Sequence, residues 1–140
     1  MENQEYAMTI AISNVEEALN VLSGGEVKRY HTLPTIGEQT VANHSWGVAL
    51  ILNWLKPDIS KTAILKALTH DVAEKQTGDV PAPTKWSNKS LAKQLASVER
   101  RIERELGVDY ELTPEEKEFF KQSDLFELLL YCVNQRSLGN

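Results

Sequence analysis

Asp58-Ile59-Ser60-Lys61-Thr62-Ala63-Ile64-Leu65-Lys66-Ala67-Leu68-Thr69-His70-Asp71-Val72-Ala73-Glu74 is the stretch whose reading decides the fold. Asp58 or Ser60 can cap a helix, and Ile64, Leu65, Leu68 and Val72 then recur at helical spacing. The pattern predicts a helix from about Ser60 to Glu74 or Lys75. Near its end stand a nitrogen donor and a hard oxygen donor side by side, His70 and Asp71. Such a mixed pair suits a divalent metal such as Zn, Mn, Fe or Co. Glu74 lies one helical turn beyond His70 on the same face, where a group handling the attacking water would stand. His-Asp alone is a common dipeptide, and taken alone it is more simply a helix end with polar residues.

Upstream, Gln39 to Leu55 predicts a second helix, stopped by Pro57. Ser13-Asn14-Val15-Glu16 reads as a capping box that opens a first helix. Val15, Ala18, Leu19 and Leu22 mark one face of it, and Gly24-Gly25 would close it in the left-handed way. Residues 26–38 form a connector holding Lys28, Arg29, Tyr30 and His31, with Pro34 and Gly37 as punctuation.

Downstream, Gln76 to Ser87 reads as a loop rich in Gly and Pro. A fourth helix from about Asn88 to Leu106 carries Leu91, Leu95, Val98 and Ile102, and Gly107 closes it. Thr113-Pro114-Glu115-Glu116 is a strong start signal for a fifth helix reaching about Asn134. No stretch shows convincing strand alternation and there is no internal repeat. The fold class is therefore all-α, a compact helical bundle of about five or six helices. Residues 1–140 read as a single domain, with weak signals and some mobility expected over residues 1–11.

With 41% hydrophobic and 25% charged residues, the 140-residue chain has an ordinary globular composition and enough length to bury a core. The formal net charge of −5 lacks the basic footprint of a duplex nucleic-acid binder. An anionic substrate must then be met by local Arg and Lys, or by a metal. The single cysteine, Cys132, excludes an internal disulfide and a Cys-based metal site. Its apolar run, Leu128 to Cys132, predicts a buried core thiol in a reducing, cytoplasmic protein. The acidic, polar start Met1-Glu2-Asn3-Gln4-Glu5 argues against a signal peptide. The longest apolar run, Val48 to Leu52 extended to Leu55, is broken by Asn53 and is too short to span a bilayer.

The His-Asp pair gains weight from two other helices. His44 lies on or beside the stripe Val41, Val48, Leu52; alone, it is most simply a satisfied core histidine. Phe120, Asp124, Leu128 and Tyr131 follow one another at helical steps, which puts Asp124 on an apolar face. A lone carboxylate there is costly unless it is paired or ligates a metal. Three helices thus offer inward ligand types: His44, the His70-Asp71 pair, and Asp124. Together they can close around one divalent ion and leave positions for water and a substrate oxygen. Arg29, with Lys28 beside it, and Lys85 suit a phosphate near such a metal, while Tyr30 and Trp86 offer flat surfaces to a nucleobase. For each of these the ordinary alternative is a solvated charge or a packing aromatic. The alternating charges Lys89, Lys93, Glu99, Arg100, Arg101, Glu103, Arg104 and Glu105 read as a solvated face with no role in chemistry.

Arg29-Tyr30-His31, Gln39-Thr40-Val41-Ala42-Asn43-His44-Ser45, His70-Asp71-Val72-Ala73-Glu74, Thr77-Gly78-Asp79-Val80-Pro81-Ala82-Pro83 and Asp124 together resemble the HD-domain phosphohydrolases. More narrowly they are similar to the bacterial 5′-deoxyribonucleotidase branch and its phage relatives, which include dATP triphosphohydrolases. The resemblance spans roughly residues 26–134. It implies an HD-domain bundle and ligation of one divalent transition metal (Zn, Mn, Co or Fe) by His44, His70, Asp71 and Asp124. It implies Glu74 in proton transfer or in holding the attacking water, with Asp79 shaping the same site. Arg29 matches the phosphate-contacting Arg, Tyr30 an aromatic residue of the sugar and base pocket, and Lys85 a basic residue of triphosphate-cleaving relatives.

The implied activity is hydrolysis of 2′-deoxynucleotides, to deoxynucleoside plus phosphate from a dNMP or plus triphosphate from a dNTP such as dATP. The rivals are a non-catalytic nucleotide-binding module on the same fold and a purely structural helical protein. The implied setting is a homo-oligomer in the bacterial cytoplasm, or in the host cytoplasm if phage-encoded, with no membrane and no duplex nucleic acid as partner. Two features depart from the pattern. Asn43 stands where relatives usually carry Glu, and the chain ends at Asn140, where relatives continue with more helix, so a C-terminus shortened relative to the family is expected.

Overall fold

The computed structural model describes residues 15–140. Along them lie α1 (residues 15–24), α2 (Val41–Leu55), α3 (Lys61–Thr69), α4 (Glu74–Thr77), α5 (Ala82–Ser87), α6 (Lys89–Glu105) and α7 (Pro114–Ser137). The expected all-α class holds, and among the described residues the one extended pairing is an antiparallel bridge between Lys28 and Thr40. Its hydrogen bonds, Arg29 N to Gln39 O (2.8 Å) and Val41 N to Val27 O (2.8 Å), close the connector on itself and hold Arg29 beside the start of α2.

Helix α2 packs against both α3 and α7. It starts at Thr40, whose hydroxyl accepts from Asn43 N while Asn43 Oδ1 accepts from Thr40 N. Asn43, the departure from the family pattern, thus completes a capping box with a shorter side chain than the usual Glu or Gln. Val48, Ala49 and Leu52 then meet Ala63 and Ala67 of α3, with Ile59, Ile64, Leu112, Phe119 and Phe120 around them. Two alanines four residues apart, both 0% exposed, let the α3 backbone approach α2 closely.

The helix expected from Ser60 to Glu74 is interrupted. Ser60 caps it as read, but α3 ends at Thr69 and the chain tightens through residues 70–73. Val72, Glu74, Lys75 and Gln76 donate to carbonyls three residues back rather than four. The expected loop from Gln76 to Ser87 contains α5, with Pro81 as its N-cap and Pro83 in its first turn.

Other expectations are corrected. Gly24 and Gly25 do not take the left-handed conformation; they permit close approach instead. A Cβ on Gly24 would lie 2.9 Å from Val72 Cβ, and one on Gly25 2.9 Å from Ala42 Cβ. The proposed apolar face of α1 is exposed at Val15, Leu19 and Leu22. The capping residues Ser13 and Asn14, and the N-terminal stretch 1–11, lie outside the described residues. Cys132 is exposed, not a core thiol. Helix α7 turns Ser123, Glu127 and Gln135 inward and leaves Leu125, Leu129 and Val133 outside. The α6 charges are not all solvated either. Glu103 pairs with Lys66 of α3 at 3.1 Å. Glu99 is half-buried, and desolvation, with Asp71 and Glu103 adding repulsion against Lys85 and Lys66, raises its pKa.

Candidate metal centre and substrate pocket

The cluster is assembled by three segments: His44 from α2, His70 and Asp71 from the tight turn after α3, and Asp124 from α7. His44 sits one turn into α2, where the capping box fixes the helix start, and is 1% exposed. His44 Nε2 lies 2.9 Å from Asp124 Oδ1 and 3.7 Å from Asp71 Oδ2. His70 Nε2 lies 3.6 Å from Asp124 Oδ1 and 3.3 Å from Asp71 Oδ2. Ligand atoms of His44, His70 and Asp124 all fall within 4.8 Å of one another. All four sequence candidates for the metal are therefore brought together.

The donor set fits a divalent cation. Both Nε2 atoms are buried without a hydrogen-bond partner of acceptable geometry, and both face carboxylate oxygens. Their ring partners are already used: His70 Nδ1 donates to Ala67 O at 2.7 Å, and His44 Nδ1 meets Glu127 Oε2 at 2.5 Å. The free lone pairs thus point at one volume, as metal ligation requires. Phe120 closes one side, edge-on to His70 with ring centroids 5.0 Å apart.

The electrostatics express the same concentration of anions. Burial would lower the His70 pKa, but Asp71 and Asp124 outweigh it and push it up to about 9. Burial would likewise lower His44, and Asp124 and Glu127 raise it. Burial would raise Asp124, yet His44 and His70 hold it well below the usual carboxylate range.

Glu74 is buried, with Oε2 unpartnered. Burial first, then Asp71 and Asp79, push its pKa up to about 8 against the opposing charges of Arg29 and Lys85. A carboxyl poised near neutrality can take and return a proton. Asp79 is placed beside it, and its backbone carbonyl meets His31 Nε2 at 2.8 Å. Arg29 reaches the cluster directly, with Nη1 3.3 Å from Asp71 Oδ2.

Tyr30 has a left-handed backbone (φ 54°) and stacks on Tyr131, centroids 4.5 Å apart and rings 7° from parallel. One face of Tyr30 is therefore covered from within the chain. Lys85 is half-buried and within electrostatic reach of Glu74 and Glu99. Two sequence candidates stay away from the cluster: Lys28 pairs with Glu38 on the surface, and Trp86 is 75% exposed.

Glu127 escaped the sequence reading. It touches His44 on the ring nitrogen opposite the cluster. Its phase held the signal, because three residues after Asp124 is the same face of a helix.

An all-α chain that sets a His-Asp pair against a second His and a second Asp has the make-up of the HD-domain phosphohydrolases, metal-dependent hydrolases on a helical scaffold. Residues 25–140 match the family model described as 5′-deoxynucleotidase YfbR-like, and the chain belongs to that family. It is similar to the 5′-deoxynucleotidase of Vibrio cholerae, at 28% identity over 138 residues covering 81% of this chain and 71% of the relative. It is similar also to the dATP triphosphohydrolase of cyanophage S-2L, at 30% identity over 131 residues covering 89% and 72%. Among solved structures, the cyanophage S-2L HD phosphohydrolase bound to dA and one catalytic Zn2+ ion superposes with a TM-score of 0.68 at 29% identity, covering 81% of this chain and 68% of that one.

Proposed function

We propose that this protein is a metal-dependent phosphohydrolase of 2′-deoxynucleotides. The observation that carries the proposal is the convergence of His44, His70 and Asp124 within 4.8 Å, with both imidazole Nε2 atoms unpartnered, in a chain of the 5′-deoxynucleotidase family. His44, His70, Asp71 and Asp124 would hold one divalent ion. Bound there, the metal supplies Lewis acidity toward a phosphate oxygen and the attacking water.

The chain's own groups do the rest. Glu74 takes the proton of the attacking water and returns it to the leaving oxygen, a task that suits its raised pKa. Asp79 keeps that pKa high by its charge. Arg29, anchored on Asp71, offsets the charge that develops on the phosphoryl oxygens. Tyr30, stacked on Tyr131 and with the Arg29 guanidinium carbon 5.3 Å from its ring centroid, stands on the sugar and base side. Water attack at phosphorus releases the deoxynucleoside with phosphate from a monophosphate, or with triphosphate from a dNTP.

The triphosphate form of the reading has its own support. Lys85 joins Arg29 as a second cation within electrostatic reach of Glu74. The cyanophage relative named a dATP triphosphohydrolase aligns over 89% of the chain. No helix among the described residues is long and apolar enough to cross a membrane. The reading carries with it a cytoplasmic location and a homo-oligomer, the latter supported by the exposed Leu125, Leu129 and Val133 of α7.

The test is hydrolysis of the full dNMP and dNTP panel across Mn, Co, Zn and Mg, with products identified. Metal-dependent release of a deoxynucleoside supports the proposal, and the accompanying phosphate or triphosphate identifies the substrate class. Nucleotide binding without turnover under every metal would favour the non-catalytic module instead.

A further inference from the structure

We infer that Glu127 is the positioning residue that sets His44 for the metal, with Gln39 and Gly47 holding Glu127 in turn. The inference rests on the metal-dependent reading above.

Glu127 lies on α7, three residues after Asp124, so both carboxylates project from one face of that helix toward His44. They take opposite ring nitrogens: Asp124 Oδ1 lies 2.9 Å from Nε2, and Glu127 Oε2 lies 2.5 Å from Nδ1. A carboxylate at Nδ1 accepts the ring proton there and leaves the Nε2 lone pair free toward the cluster. The other oxygen, Oε1, accepts from Gln39 Nε2 at 2.7 Å. With both oxygens bound and the side chain 10% exposed, Glu127 has no second position to adopt.

Gly47 makes the room. It lies three residues after His44, and a Cβ there would come within 3.0 Å of Glu127 Cγ. A side chain at that position would force the Glu127 stem to shift by a few tenths of an ångström and so disturb the carboxylate's seat on the imidazole. The two histidines are thus held differently. His70 rests on a neutral backbone carbonyl, while His44 rests on a buried carboxylate. The carboxylate raises the basicity of His44 toward the cation and fixes the plane of its ring. Glu127 therefore contributes to metal retention without itself touching the metal.

The experiment compares full-length wild type, Glu127→Gln and Gly47→Ala. Zinc affinity is read by competition with a chromophoric chelator. Melting is read in the metal-free state, and the His44 ring proton is read by 15N-correlated NMR of the zinc-loaded protein. Glu127→Gln is expected to weaken zinc binding by about 10–100-fold and to abolish the low-field Nδ1 proton. Gly47→Ala, which leaves the carboxylate in the chain but displaced, is expected to shift both in the same direction by less, and it carries the test if Glu127→Gln does not fold. Zinc affinity within threefold of wild type in folded Glu127→Gln, or an unchanged proton signal in both variants, overturns the inference. Absence of zinc binding by wild type would instead remove the metal-dependent reading on which it rests.

Discussion

Arg29 Nη1 stands 3.3 Å from Asp71 Oδ2, so the one arginine of the connector is tied to a residue that also faces both cluster histidines. Side-chain exposures of 15% and 22% put the pair in a partly desolvated place, where charge counts for more than on the surface. Its two members are expected to fail differently. Asp71→Ala removes a proposed ligand and should abolish metal-dependent hydrolysis while weakening metal binding. Arg29→Ala should keep the metal and lower kcat/KM by about 100-fold or more. Steady-state kinetics with metal content measured in parallel separate the two. Wild-type turnover by Asp71→Ala under controlled metal would remove the proposed centre.

Lys85 offers a way to read phosphate count. It shares Glu74 with Arg29 but makes no direct contact with Asp71. If Lys85 meets the outer phosphates, Lys85→Ala should raise KM for a dNTP by roughly tenfold, equivalent to about 1.4 kcal/mol of lost binding, and leave KM for the matching dNMP unchanged. Equal effects on both substrates would assign Lys85 to a general field.

Metal-free stability should fall as pH rises. His70 is pushed from 6.5 up to about 9 in the folded state, so its stabilising contribution is complete below pH 6.5 and is lost by pH 9. Glu74 is pushed from 4.5 up to about 8, so the folded state again binds the proton more tightly and loses ground between those values. The two slopes have the same sign between pH 6.5 and 8. Zinc bound at the cluster would take the place of the His70 proton, so the melting temperature of the metal-free protein should drop across pH 6.5 to 9 and its gap to the zinc-loaded protein should widen. Melts that stay flat in the metal-free state, or a gap that narrows, would contradict the arrangement of charges.

The cluster residues were legible because each combined a donor type with a helical phase. His44 follows the Val41 and Val48 stripe, and Asp124 stands between Phe120 and Leu128. Glu127 is easily passed over because a Glu beside leucines resembles a surface charge, although its phase after Asp124 turns it inward to meet His44 on α2. Cys132 misled for the converse reason. Helix α7 buries Ser123, Glu127 and Gln135 and turns leucines outward, so hydrophobicity does not mark its packed side. The tight turn at residues 70–73 was invisible because every residue in it is compatible with a continuing α-helix. Only the three-residue hydrogen-bond spacing departs from one.

Asn43 has a local task at the start of α2. Its side chain accepts from Thr40 N at 3.0 Å and completes the cap of the helix that carries His44. Asn43→Ala should cost about 1 kcal/mol and lower the melting temperature by roughly 3–5 °C. Asn43→Glu, which restores the usual capping-box partner, should be neutral or stabilising. Thermal melts of both variants check this, and a destabilised Asn43→Glu would show that the shorter side chain is required.

Helix α7 leaves Leu125, Leu129 and Val133 at 65%, 54% and 57% exposure, four residues apart on one side. Beside them Phe126, Leu128 and Cys132 line a shallow apolar groove. A continuous apolar stripe of this kind is costly to leave in water, as expected of an association surface. The same surface on a second copy is complementary to it in chemistry, which favours a symmetric dimer across α7. Leu129→Glu places a charge in the middle of the stripe without touching the face that carries Asp124 and Glu127. Light scattering should give a dimer or larger mass for wild type and a monomer for Leu129→Glu, with metal binding retained in both. A wild-type monomer at about 100 μM, far above a micromolar Kd for a stable interface, would leave the α7 stripe to some other use.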